Sequence, residues 1–256
     1  MIGTSLLRPL AAVSFAVLAA VAAAASLSPA AAQDARPVER KDPALDALLA
    51  PDARLERVAT GFGFTEGVTW APGKKTGVLL FTDIPANVVY RLAPDGKAEI
   101  HLEKAGYQKP DLWRVGMPFT NGKKEGDPGF EKFNMSGANG LALDPQGRLI
   151  IAAFGSRSID RIEKNGKRTV LAGRYEGKRL NGPNDVVVRR DGSIYFTDTY
   201  SGLPKLDKDP AKEMDVVGIY MLRNGRLTRL IDDIMSPNGL AFSPDETVLY
   251  VNGGRE

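Results

Sequence analysis

Asn139-Gly-Leu-Ala-Leu-Asp-Pro-Gln-Gly147, Asn184-Asp-Val-Val-Val-Arg-Arg-Asp-Gly192 and Asn238-Gly-Leu-Ala-Phe-Ser-Pro-Asp-Glu246 align residue for residue. Each runs from an Asn through an apolar strand to a turn and then into a second apolar strand. A weaker copy begins at Glu66-Gly-Val-Thr-Trp-Ala-Pro-Gly73 and continues into Val78 to Asp83. The Asn positions are 45 and 54 residues apart, against roughly 40 to 50 residues for a four-stranded propeller blade. The longer step from Glu66 to Asn139 reads as one blade plus an insertion, the Gly/Lys/Pro-rich stretch at about 104–135. That stretch is too polar for core and is expected to be a loop over one face.

The surrounding texture agrees. Turn pairs Asp95-Gly96, Asn165-Gly166, Asp191-Gly192 and Asn224-Gly225 separate short β-branched and aromatic runs. Val78–Thr82, Val88–Leu92, Arg148–Ala152, Ile194–Thr197, Gly218–Leu222 and Val248–Val251 have strand length and composition, and no stretch of the mature chain sustains a helical period. The fold class is therefore all-β. The 256 residues carry 34 basic and 31 acidic side chains, interspersed, for a net charge of +3. That is no nucleic-acid footprint. With no Cys and one His, His101, thiolate chemistry and His-rich zinc sites are excluded, so any metal is held by oxygen.

Residues 1–32 carry Arg8, an apolar run from Leu10 to Leu27, and Ala30-Ala31-Ala32 before Gln33. This is the pattern of a cleaved signal peptide and implies a periplasmic or secreted product with no membrane attachment after cleavage; an uncleaved anchor is the alternative. Residues 33–53 form a polar lead-in with a short helix capped by Asp42, with Pro43 at its first position and Leu45, Leu48 and Leu49 on one face. Residues 54–256 are the propeller domain.

First strands of propeller blades lie nearest the central channel, so Glu66, Asn139, Asn184 and Asn238 are expected to converge there. Asn and Glu are poor strand formers. Asn also starts strands by bonding its own backbone, but a shared register in four repeats points to a site. One carboxylate with several amide oxygens suits a hard cation, Ca²⁺ before Mg²⁺, with Mn²⁺ or Zn²⁺ as other divalent possibilities. Such an ion can polarise an ester or lactone carbonyl and activate water without a nucleophilic side chain. Ser136, Ser201 and Ser236 have no evident base, and His101 reads as a structural or surface residue.

Thr65-Glu66-Gly67-Val68-Thr69-Trp70, Pro183-Asn184-Asp185 followed by Tyr195-Phe196-Thr197-Asp198, and Ser236-Pro237-Asn238-Gly239-Leu240 followed by Leu249-Tyr250-Val251 resemble the senescence-marker protein/gluconolactonase family. The second and third motifs are also similar to the more distant paraoxonases. The resemblance implies a six-bladed propeller whose axial divalent ion is bound by Glu66, Asn184 and Asn238. It places Asn139 at the channel rim, with Asp185 and Asp198 either behind the ligands or simply turn and strand-end acids. It also implies a small-molecule lactone or ester substrate. Sugar-lactone-hydrolysing members carry an arginine where this chain has Gly182, so specificity for gluconolactone does not carry over. The family's remaining aspartate ligand, its candidate general base, has no counterpart before Glu256, which leaves the catalytic base unassigned. The 191 residues from Glu66 to Glu256 provide about four blades, so the expectation is a piece of a longer product with an incomplete ion site. Two other functions compete: a non-catalytic propeller that binds a protein or glycan, and a strictosidine-synthase-like propeller, which would want a catalytic glutamate rather than a ring of asparagines.

Overall fold

A computed structural model describes residues 36–73, 76–93 and 96–254. The leader read at residues 1–32, the first residues of the lead-in, and Asp95 of the Asp95-Gly96 pair lie outside the described residues. The chain forms two units, divided between Val58 and Ala59.

In the first unit, β1 (Arg36–Pro37) pairs antiparallel with β2 (Arg54–Leu55). Between them the expected short helix is a 3-10 turn, Pro43–Ala47, in which the Asp42 carboxylate accepts the Ala44 amide at 2.8 Å. Its five residues contribute nothing to a core: none is buried, and Leu48 and Leu49 are exposed.

The second unit is built from antiparallel sheets. β3 (Thr65–Ala71), β4 (Val78–Asp83), β5 (Val88–Leu92) and β6 (Ala98–Glu103) make the first four-stranded meander. A hairpin of β7 (Pro118–Thr120) and β8 (Lys132–Asn134) follows. β9 (Ala138–Leu143), β10 (Leu149–Ala153), β11 (Ser158–Ile162) and β12 (Arg168–Ala172) make the second sheet, and β13 (Arg174–Tyr175) with β14 (Lys178–Arg179) a small ribbon. β15 (Pro183–Val188), β16 (Ile194–Asp198), β17 (Gly218–Arg223) and β18 (Arg226–Ile231) make the third sheet, and β19 (Pro237–Phe242) pairs with β20 (Leu249–Gly253). All six strands expected from the sequence are present, with ends within two residues of those read.

First strands neighbour one another in turn, β3 against β9, β9 against β15 and β15 against β19, which is the arrangement of propeller blades around an axis. The core lies between successive sheets. Leu80, Val89, Leu141, Leu149 and Ile151 fill the first interface. Ile150, Ile159, Leu180, Val186, Phe196 and Tyr220 fill the second, where Phe196 and Tyr220 stack at 5.4 Å.

The three turn pairs within the described residues all fall in turns, of two kinds, and the reading of the insertion is corrected. Of the turn pairs within the described residues, only Asn224-Gly225 is a two-residue hairpin turn, with φ of 51° and 75°. Asn165-Gly166 and Asp191-Gly192 instead close four-residue turns, in which the glycine amide bonds back to Glu163 and Arg189. The insertion is also not merely a polar loop. Met117 and Phe119, then Phe133 and Met135, alternate at strand period among lysines and glycines. They pack with Ile84 and Phe154 into a small core of their own, which Phe64 joins through an edge contact with Phe119 at 5.1 Å.

Candidate functional site

Each of the four first strands carries a β-bulge at the repeat's opening residues. In β9, Asn139 and Gly140 oppose Ala152 alone; in β15, Asn184 and Asp185 oppose Thr197; in β19, Asn238 and Gly239 oppose Asn252. In β3 the extra residue comes just after Glu66, where Gly67 and Val68 oppose Phe81 and Gly67 has a φ of +56°. A bulge bends the strand and re-aims the side chain beside it. The repeated Asn/Glu position is thus the place where each first strand is bent.

Glu66, Asn139, Asn184 and Asn238 meet in one cavity of about 330 Å³, together with Asp185. Asn139 and Asn184 are buried, Glu66 is half-buried and Asn238 is exposed. None of these four side chains makes a hydrogen bond within the described protein, whereas buried amides ordinarily find partners. Asp185 differs: its Oδ2 accepts the Leu240 amide at 2.8 Å and its Oδ1 the Val186 amide, also at 2.8 Å. It stands where the other three repeats have glycine, and its carboxylate ties β15 to β19. Burial raises the Asp185 carboxyl above its ordinary value against the pull of those two amides. Burial, and then the charge of Asp185, raise Glu66 as well. A cavity that gathers two carboxylates and three amides without a cationic side chain is electrostatically suited to a cation. Among the described residues no three His, Cys, Asp or Glu cluster, so the donors on offer are mostly neutral oxygens. They suit a hard ion with variable coordination better than zinc, and Glu66, Asn139, Asn184 and Asn238 are the residues that could hold it.

Hydroxyls behind the site latch neighbouring blades. Thr82 Oγ1 donates to the Asn139 carbonyl at 3.0 Å, and Thr197 Oγ1 donates to the Asn238 carbonyl at 2.7 Å while accepting the Asp185 amide at 3.0 Å. Each fixes the backbone of a cavity-lining Asn from the preceding sheet. Asp198, read as standing behind the ligands or as a strand-end acid, does not line the cavity. Its carboxylate accepts the amides of Asn181 at 2.9 Å and Gly182 at 2.7 Å, so it clamps the segment that leads into Asn184. Asp83 does the same for the approach to Glu66, accepting from Gly63 at 2.9 Å and Phe64 at 3.2 Å. The sequence reading missed Thr82, Asp83 and the role of Thr197, although Phe81-Thr82-Asp83 repeats as Phe196-Thr197-Asp198 and was the signal for all three.

Full burial, opposed by the two backbone amides, pushes the Asp198 carboxyl up to about 7. A folded-state value above the unfolded one gives stability that is complete below about pH 4 and lost as pH rises through about 7. Asp198→Asn removes the titration. The melting temperature of the parent should therefore drop more between pH 5 and pH 8 than that of the variant, by on the order of 5 °C. Parallel pH profiles would overturn this account of Asp198.

His101, Ser136, Ser201 and Ser236 do not line the cavity. His101 lies on the exposed edge strand β6, and its pKa is lowered by burial and by Arg91. At Gly182 an added Cβ would lie 2.6 Å from the Gly202 backbone, so the glycine is required by that close approach and an arginine there would displace the turn at Tyr200–Gly202.

Bulged first strands around an oxygen-lined cavity define a propeller-type protein with a candidate cation site. A family model for the SMP-30/Gluconolactonase/LRE-like region matches residues 64–256, and the chain belongs to that family. It is 35% identical over 217 residues to a gluconolactonase of Zymomonas mobilis, covering 84% of this chain and 56% of that protein. A lactonohydrolase of Aspergillus oryzae is 31% identical over 87 residues, 34% of this chain and 20% of that one. Among solved structures, a gluconolactonase from Xanthomonas campestris superimposes with a TM-score of 0.66 at 32% identity, covering 86% of this chain and 64% of the other. The chain thus spans a little over half the length of the Zymomonas relative.

Proposed function

We propose that this chain carries the cation-binding part of a lactone hydrolase, with Ca²⁺ as the ion. The observation that carries the reading is the convergence of Glu66, Asn139, Asn184 and Asn238, free of protein hydrogen bonds, on one cavity. The likeness to two gluconolactonases over more than four-fifths of the chain supports a lactone as the substrate class. The leader-like composition of residues 1–32 supports an exported enzyme.

When bound, the ion supplies Lewis acidity to the lactone carbonyl and lowers the pKa of a bound water. The protein's own contribution is placement. Glu66 provides the negative charge that retains a cation, and the three amides provide neutral oxygens held in register by the bulges. The Thr82 and Thr197 latches fix the backbone beneath Asn139 and Asn238. Asp185, with both oxygens engaged by amides, shapes the field at Glu66. Addition of water across the acyl C–O bond yields the hydroxy acid. Gly182 leaves no room for an arginine at its position, so the sugar-acid lactones have no privileged place in the substrate panel.

The test is hydrolysis of lactones and aryl esters by the full chain. Activity should vanish with EDTA, return with Ca²⁺, survive serine-directed phosphonates and be nearly unchanged in His101→Ala. Covalent labelling of a serine with loss of turnover would replace the metal mechanism with a nucleophilic one.

A further inference from the structure

Beside the second sheet lies a cleft of about 520 Å³ whose lining shares no residue with the cation cavity. Arg157, Arg168, Arg174 and Arg179 all line it, and Asp160 is the one carboxylate among its lining residues. Asp160 is already engaged: its Oδ2 pairs with Arg168 Nη1 at 2.9 Å and its Oδ1 accepts from Ser158 Oγ at 2.7 Å. Arg168 also donates to the carbonyls of Ala105 and Lys104, at 2.8 and 3.1 Å. Arg174 pairs with Glu213 at 2.9 Å.

Among the described residues Arg157 and Arg179 have no ion pair. Arg157 is only 4% exposed. Its Nε donates to the Leu180 carbonyl at 2.6 Å and its Nη1 to the Ala211 carbonyl at 2.8 Å, while Nη2 is buried with no partner. Arg179 donates through Nη2 to the Ser156 carbonyl at 3.2 Å and leaves Nε and Nη1 unused. The two guanidiniums act on each other as like charges. The charges of Asp198, Glu213 and Asp209 partly offset this, though none of them forms an ion pair with Arg157 among the described residues. A buried cation without a direct ion pair, next to a second one, is costly unless an anion is taken up.

We propose that this cleft binds a phosphate-type dianion, free or as the monoester of a small molecule, between Arg157 and Arg179 with Arg174 alongside. Arg157 keeps Nη2 free and Arg179 keeps Nε and Nη1 free, and two guanidinium charges with N–H donors to spare neutralise a dianion. The cleft is larger than phosphate itself, so it also admits the organic part of an ester.

Calorimetric titration of the full chain decides it, with inorganic phosphate, glucose 6-phosphate and gluconate at constant ionic strength and with EDTA present to keep divalent ions out of the signal. Saturable binding at one site is expected for phosphate, roughly 10- to 100-fold weaker in Arg179→Ala and unchanged in Arg223→Ala, whose side chain pairs with Asp191 elsewhere. Arg157→Met should also abolish binding, but it removes two backbone contacts, so the half-exposed Arg179 carries the test. A tighter complex with the ester identifies an ester ligand, and equal affinities identify the free ion. Unaltered affinity in Arg179→Ala, tighter binding of gluconate than phosphate, or heats no larger than those of chloride would each overturn the proposal. None of these readouts depends on lactone hydrolysis.

Discussion

Glu66→Gln is expected to weaken calcium binding by about two orders of magnitude, and hydrolysis with it, because calcium affinity is tuned chiefly by the number of charged ligands. Two carboxylates line the cavity, but Asp185 spends both oxygens on the amides of Val186 and Leu240. Glu66 makes no such bonds and is the charge available to an ion. The substitution keeps shape and volume, and it relieves the repulsion from Asp185 that helps raise the Glu66 carboxyl. Without ions, then, the variant should melt at the parent's temperature or slightly above. Adding Ca²⁺ should raise the melting point of the parent and barely move that of the variant, since a ligand stabilises in proportion to its occupancy of the folded state. Asn139→Ala removes a neutral oxygen and should cost calcium affinity only about tenfold or less. The reverse ranking would remove Glu66 from the site.

The repeat was legible because the propeller repeats its chemistry as well as its hydrophobicity. Asn139, Asn184 and Asn238 stand at one register position, with β-branched or aliphatic residues after them, and this placed the first strands and gathered the cavity. Less legible was what aims the side chains. A bulge has no hydrophobic period of its own, and its mark is a residue that tolerates bent backbone, here Gly67, Gly140 and Gly239. Asp185 breaks that pattern, and its reason lies 55 residues away at the Leu240 amide, beyond any local reading. Asp198 could be read either as standing behind the ligands or as a strand-end acid, and what it holds, the Asn181 and Gly182 amides of the segment leading into Asn184, lay outside a local reading. The insertion was misjudged because average polarity hid the two-residue spacing of Met117 with Phe119 and of Phe133 with Met135. Composition is a poor guide where a few alternating apolar residues suffice to seat a hairpin.

Gly67→Ala separates local strain from the close approach of two blades. Gly67 has a φ of +56°, and an added Cβ would lie 2.2 Å from the Asn139 carbonyl oxygen and 3.1 Å from the Leu141 amide. That carbonyl is the one latched by Thr82 at 3.0 Å, so it has no room to retreat without breaking the latch. Gly147 supplies the control: its φ is +73°, and nothing lies within 4 Å of an added Cβ. Gly147→Ala should cost about 1–2 kcal/mol, the penalty for a side chain in the left-handed region. Gly67→Ala adds a backbone clash and should cost roughly 3–5 kcal/mol, a fall in melting temperature of about 10 °C for a unit of this size. Its second effect is on the cavity. Pushing β3 from β9 parts Glu66 from Asn139, so calcium affinity should fall in Gly67→Ala and hold in Gly147→Ala. Thermal melts with and without Ca²⁺ report both. Equal destabilisation by the two alanines would mean that the blades do not meet at Gly67, and the packing of β3 on β9 that brings Glu66 to the asparagines would have to be abandoned.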